Sequence, residues 1–244
     1  MGTEQAGQFP RSEVHVQAIA NAIEIAHGYP DAVAFLVLDV DEVVFATRAK
    51  LAERLYIRLC EIYPHLQDTL PKPENALKNG IRKTYEPLIH KTAYETIWKS
   101  VEDEQEHLKD APLTDPALPE ILDQLIATGI VPILLLTARD EKDTELTEKE
   151  AEKNGIKLPV FAMYPGNTHI TPMKIGVLQE LAHAIGKPMI MIDDSLELIV
   201  ALQELKDPMF IGILYETDKS ISPEIPIERR GVWQTIPPTL TEGL

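Results

Sequence analysis

Three short apolar runs in this chain each end in a cluster of polar side chains, and that repeated ending constrains the fold more than any other feature. Ala34 to Leu38 runs into Asp39-Val40-Asp41, Val131 to Leu136 into Thr137-Ala138-Arg139, and Met189 to Ile192 into Asp193-Asp194. Short apolar runs bounded by breakers read as strands buried on both faces, as in parallel sheets. Pro159 to Tyr164 and Met209 to Leu214 have the same character, which makes five expected strands. Helical segments lie between them. Val14 to Ala26 ends at Gly28 and Pro30; Asp115-Pro116 opens a helix that Gly129 closes; Thr171-Pro172 opens one that Gly186 closes. The alternation is that of an α/β domain with a mainly parallel sheet.

More than 80 residues separate the first two strands, far more than one crossover helix needs. Leu51, Leu55, Leu59 and Tyr63 recur at helical spacing, and Ala76 to Lys109 also reads as helical. The expected division is therefore an α/β core of residues 1–45 and 114–244 and a small helical domain of residues 46–113 inserted in it. The segment after Glu216 is rich in Pro, Ser and Thr, with Trp233 as its expected anchor.

With 44% apolar and 25% charged residues among 244, the chain has the composition of a globular protein. It has no apolar stretch of the roughly 18 residues a membrane span requires, and its first residues, MGTEQAGQFPRSE, carry no signal-peptide core. A cytoplasmic location is the default, with secretion lacking a cleavable signal peptide left open. Lys and Arg total 23 against 39 Asp and Glu, a net charge of −16 that disfavours nucleic acid or an anionic membrane as partner. Cys60 is the single cysteine, on an apolar helical stripe, so neither an internal disulfide nor a thiolate cluster can form. The histidines lack zinc-site spacing, and any metal should be held by oxygen.

In open α/β sheets, ligands bind at the carboxyl edge of the strands. Asp39, Asp41, Thr137, Arg139, Asp193 and Asp194 should all arrive there, although clustered carboxylates repel one another and raise each other's pKa. A divalent cation resolves the conflict, and magnesium commonly bridges a carboxylate to a phosphate. Lys174 draws notice for an electrostatic reason. With Thr171 as N-cap and Pro172 at N1 it falls at N3, where the helix dipole disfavours a cation by a few tenths of a kcal/mol. Lys187, after Gly186, sits where the dipole favours it.

The ordered set DVDEVVF, LLLTAR, Lys174 and IMIDDS resembles the four motifs of the haloacid dehalogenase (HAD) superfamily, over residues 34–214. The resemblance implies a Rossmann-like three-layer sandwich with a five-stranded sheet, a helical cap after the first motif, and a magnesium-dependent phosphatase. It implies Asp39 as nucleophile and Asp41 as general acid and base. Thr137 and Lys174 would bind the substrate phosphate; Arg139, two residues past Thr137, is a further phosphate-binding candidate from its place at the same edge. Magnesium would be bound by Asp39, Asp193 and the backbone carbonyl of Asp41, with Asp194 in support. Glu42 and Val43 stand where the family's phosphatases often have Gly-Thr. Arg48, Arg82 and Lys83 of the insert, and His169, are candidates for reaching substrate, although for each a solvated surface charge or a structural role is the commoner outcome.

The implied partner is a phosphorylated small molecule, with a phosphoprotein as the alternative. Dehalogenases of the superfamily do not need the second Asp, so Asp41 favours phosphate chemistry; a phosphomutase stays open. The absence of GxxxxGK[ST] excludes a P-loop nucleotidase. Receiver domains gather similar groups, but there the acidic pair comes first in the chain. A catalytically silent HAD fold used as a binding or effector scaffold is the reading from a different class.

Overall fold

The computed structural model describes residues 11–103, 105, 108–163, 169–217, 225–226 and 229–236. The first ten residues and Tyr164, the expected end of the third strand, lie outside them. The described chain divides into two compact units, residues 1–44 with 115–244, and residues 45–114.

The larger unit is an all-parallel sheet flanked by helices. Its strands are β1 (Ala34–Leu38), β2 (Ile130–Asp140), β3 (Val160–Met163), β4 (Met189–Asp193), β5 (Phe210–Tyr215) and β6 (Arg230–Gly231), in the order β3-β2-β1-β4-β5-β6. The sheet has six strands rather than five. β6 is only two residues long, paired through Leu214↔Arg230 and Tyr215↔Gly231. So short a strand leaves no periodicity to read. β2 also runs further than expected, through Thr137 and Arg139 to Asp140, because a register shift between Leu136 and Asp140 lets it rejoin β3.

Every residue of β1 is buried, so both faces of the sheet are covered there. Phe35, Val37, Met189 and Met191 share one core with α1 (Glu13–His27) and two later helices through residues such as Ile19, Leu178 and Ile199. Ser12 caps α1, accepting from the His15 backbone N–H. Val16 is 56% exposed, and the buried stripe of α1 is His15, Ala18, Ile19, Ala22 and Ala26.

The smaller unit contains α2 (Thr47–Ile62), α3 (Pro73–Asn79), α4 (Ile81–Tyr85) and α5 (Lys91–Asp103). The stretch from Ala76 onward is thus broken rather than continuous: Gly80 adopts φ +91 between α3 and α4, and Glu86–Leu88 forms a 3-10 turn before α5. Leu55, Leu59, Tyr85, Tyr94 and Val101 form the core of this unit. Cys60 packs against that cluster. An antiparallel bridge between Phe45 and Leu113 ties its two ends.

The chain then resumes the larger unit with α6 (Leu118–Ala127), α7 (Thr144–Lys153), α8 (Ile170–Ile185) and α9 (Leu196–Glu204). The Asp115 carboxylate accepts from the Ala117 N–H, shaping the turn before α6. Trp233 is fully buried; its indole Nε1 donates to the Val43 carbonyl at 2.8 Å and its ring lies against Tyr215. Among the described residues no helix is long and apolar enough to cross a membrane. A groove of about 860 Å³ between α1, α6 and α7 is lined by residues such as Ile25, Tyr29, Leu122 and Pro159, and by none of Asp39, Asp41, Asp193 and Asp194.

Candidate active site

The register of the central strands brings the acidic residues together. Leu38 of β1 pairs with Ile192 of β4, and the Asp39 N–H donates to the Ile192 carbonyl, so Asp39 and Asp193 leave neighbouring strands at the same level. Lys174 of α8 joins them: its Nζ lies 2.7 Å from Asp39 Oδ1 and 2.6 Å from Asp193 Oδ2. All three side chains are buried. The other Asp193 oxygen, Oδ1, accepts from the Ser195 N–H at 2.8 Å, and the Ser195 hydroxyl caps α9. Asp193 is therefore fixed from both sides.

α8 begins at Ile170 with His169 as N-cap, so Lys174 lies beyond the first turn rather than at N3. Pro172 is the third residue of α8 rather than the first, because any residue of a first helical turn tolerates the loss of its N–H. What explains the lysine is its pair of carboxylates. Burial by itself would lower the Lys174 ammonium, but Asp193 and Asp39 outweigh it and hold the group above its ordinary value. Asp39 is also held well above its ordinary value, which for a carboxylate favours the neutral form, first by burial and then by Asp193, with Lys174 opposing and Asp41 adding to the rise.

Lys187 behaves differently, donating through Nζ to the backbone carbonyls of Pro30 and Ala32. It ties the turn before β1 to the end of α8.

Asp41, two residues past Asp39, is engaged from β2. The Arg139 guanidinium grips it side-on, Nε reaching Oδ2 at 3.0 Å and Nη2 reaching Oδ1 at 2.8 Å. Thr137 Oγ1 lies 3.4 Å from Asp41 Oδ2 and accepts from the Arg139 N–H. Arg139, read from the sequence as a phosphate ligand, is thus turned toward Asp41, and its remaining terminal nitrogen donates to Thr147 Oγ1 at 2.8 Å. Thr147 and Ser195 carried no signal that would have linked them to these groups.

Oxygens of Asp39, Asp193 and Asp194 lie within 4.8 Å of one another. This is an all-oxygen donor set of three carboxylates, two of them bonded to the Lys174 ammonium, and it fits a hard divalent cation such as magnesium. Asp193, rather than Asp194, meets Lys174. Glu42 adopts φ +64, a left-handed conformation that suits glycine. His169 is exposed at the start of α8, and in the smaller unit Arg82 pairs with Glu95 and Glu86 while lying over Tyr94 and Trp98.

Among solved structures, the chain is similar to a haloacid dehalogenase-like hydrolase from Burkholderia xenovorans LB400. The TM-score is 0.53 at 13% identity, covering 86% of this chain and 95% of that one. The chain has the haloacid dehalogenase fold. Within that HAD fold, β1 and β4 present the acidic residues and β2 the Thr-x-Arg. An apo phosphoserine phosphatase is a more distant likeness, with a TM-score of 0.46 at 12% identity over 82% of this chain and 92% of that one. No protein-family model and no curated protein matches the sequence.

Proposed function

We propose that the protein is a magnesium-dependent phosphohydrolase that cleaves a phosphomonoester through an aspartyl-phosphate on Asp39. The observation that carries this reading is the placement of Asp39 beside Asp193 and Asp194, with Lys174 bridging Asp39 and Asp193. Phosphoryl transfer depends chiefly on positioning and charge stabilisation, and these residues supply both.

Lys174 holds Asp39 in one rotamer and offsets negative charge as the phosphoryl group arrives. An Asp39 oxygen bonds to phosphorus while the ester P–O bond breaks, and the departing oxygen takes a proton from the Asp41 carboxyl. Asp41, now a carboxylate, takes a proton from water as that water attacks phosphorus; the P–O bond to Asp39 then breaks and phosphate leaves. Thr137 offers a hydroxyl toward the phosphoryl oxygens. Asp39, Asp193 and the Asp41 carbonyl would hold magnesium, with Asp194 supporting; when bound, the ion neutralises charge on the transferring group. The expected substrate is a small phosphorylated metabolite in a cytoplasmic setting.

Hydrolysis of p-nitrophenyl phosphate with and without magnesium tests the proposal, with Asp39→Asn as control. Wild type should turn over only with the metal, and Asp39→Asn should stay folded by circular dichroism and show no activity above background. Undiminished activity in Asp39→Asn would place the nucleophile elsewhere. A folded wild type inactive on this ester and on a panel of phosphometabolites would favour a silent binding scaffold.

A further inference from the structure

Thr147 stands out among the buried polar groups outside the acidic cluster. It is fully buried in α7, and its hydroxyl donates to the Asp143 carbonyl at 2.8 Å. That bond commits the hydroxyl hydrogen to the helix backbone, so the oxygen can only accept toward its other neighbour. The neighbour is Arg139 Nη1 at 2.8 Å. The Arg139 side chain is 6% exposed, which leaves Nη1 no ready solvent partner should the threonine oxygen be removed. With Nη1 anchored, the planar guanidinium presents its Nε and Nη2 edge to both oxygens of Asp41. A chain of three bonds thus runs from the α7 backbone to the carboxylate two residues past the proposed nucleophile.

We propose that Thr147 is a positioning residue for Asp41, acting through Arg139, and that it makes the enzyme competent on esters whose leaving oxygen must be protonated. The inference rests on the phosphohydrolase reading for its catalytic consequence. Asp41 gives its proton to the departing oxygen as the P–O bond breaks and recovers one from water in the second step, so a displaced Asp41 harms poor leaving groups most. Valine has nearly the volume of threonine without the oxygen, and Thr147→Val would leave Nη1 a buried donor without an acceptor. The guanidinium should then turn away from Asp41.

The test compares wild type, Thr147→Val, Thr147→Ala and Thr147→Ser with magnesium on p-nitrophenyl phosphate and on glycerol 2-phosphate. Thr147→Val and Thr147→Ala should lose about tenfold or more in kcat on the alkyl ester and less than about threefold on the aryl ester, with KM little changed; Thr147→Ser should restore the ratio. Equal losses on the two esters, or no rescue by serine, would overturn the proposal. A second readout is independent of turnover: the Arg139 Nε–H signal in a nitrogen–proton spectrum, identified by its loss in Arg139→Lys. It should exchange slowly in wild type and Thr147→Ser and much faster in the other two variants. Should wild type hydrolyse neither these esters nor any of the panel of phosphometabolites, the phosphohydrolase reading fails, and the exchange measurement still decides: unchanged exchange refutes the positioning role, faster exchange supports it.

Discussion

The Lys174 ammonium bridges Asp39 at 2.7 Å and Asp193 at 2.6 Å, tying α8 to the ends of two central strands. Removing one partner from a buried ion pair typically costs about 3–5 kcal/mol because the other charge stays buried. Lys174→Met should therefore destabilise by that order and reduce turnover by about a hundredfold or more. Lys187→Met, which loses bonds to two carbonyls at a partly exposed position, should cost about 1–2 kcal/mol and leave kcat near wild type. Chemical denaturation and steady-state kinetics on both variants check the contrast.

Magnesium should raise the melting temperature. Oxygens of Asp39, Asp193 and Asp194 gather within 4.8 Å of one another in the folded state, and the unfolded chain has no such site. Binding to the folded state alone stabilises by about 2.7 kcal/mol at a hundredfold excess over Kd. Asp193→Asn should lose most of that response, as read by melting curves with magnesium and with EDTA. An equal response in wild type and variant would refute Asp193 as a ligand.

Glu42 holds φ +64 beside Asp41. A left-handed conformation costs a non-glycine residue about 1–2 kcal/mol, partly offset by the greater unfolded-state entropy of glycine. Comparing two truncations cancels the loss of the glutamate side chain. Glu42→Gly should melt above Glu42→Ala, by roughly 2–4 °C for a difference of about 1 kcal/mol in a chain of this size. The reverse order would show that the backbone relaxes when the side chain is removed.

Trp233 fills the core of the larger unit and donates to the carbonyl of Val43, in the segment that follows Asp41. Trp233→Ala should cost about 3–5 kcal/mol from lost packing. Trp233→Phe keeps much of the ring contact with Tyr215 but loses the indole hydrogen bond to the Val43 carbonyl, about 0.5–1.5 kcal/mol. Thermal unfolding of the two variants separates packing from the hydrogen bond.

The sequence by itself determined what depends on local order along the chain. Apolar runs around Val37, Leu135 and Ile190 announced buried parallel strands, and the polar residues at their ends had to gather at one sheet edge. Trp233 in a polar segment marked a burial point. The pairing of side chains is different, because it depends on strand register and helix approach. Asp41 and Arg139 are 98 residues apart, and only the alignment of β1 with β2 sets the guanidinium against the carboxylate. The start of α8 lies two residues before the one its Thr-Pro pair suggests, and what accounts for Lys174 is a relation between strands and helix: two buried carboxylates 135 and 19 residues away. Thr147 looked like an ordinary helical threonine, since a hydroxyl bonded to its own helix acquires another role only when packing brings a buried arginine to the other side of its oxygen.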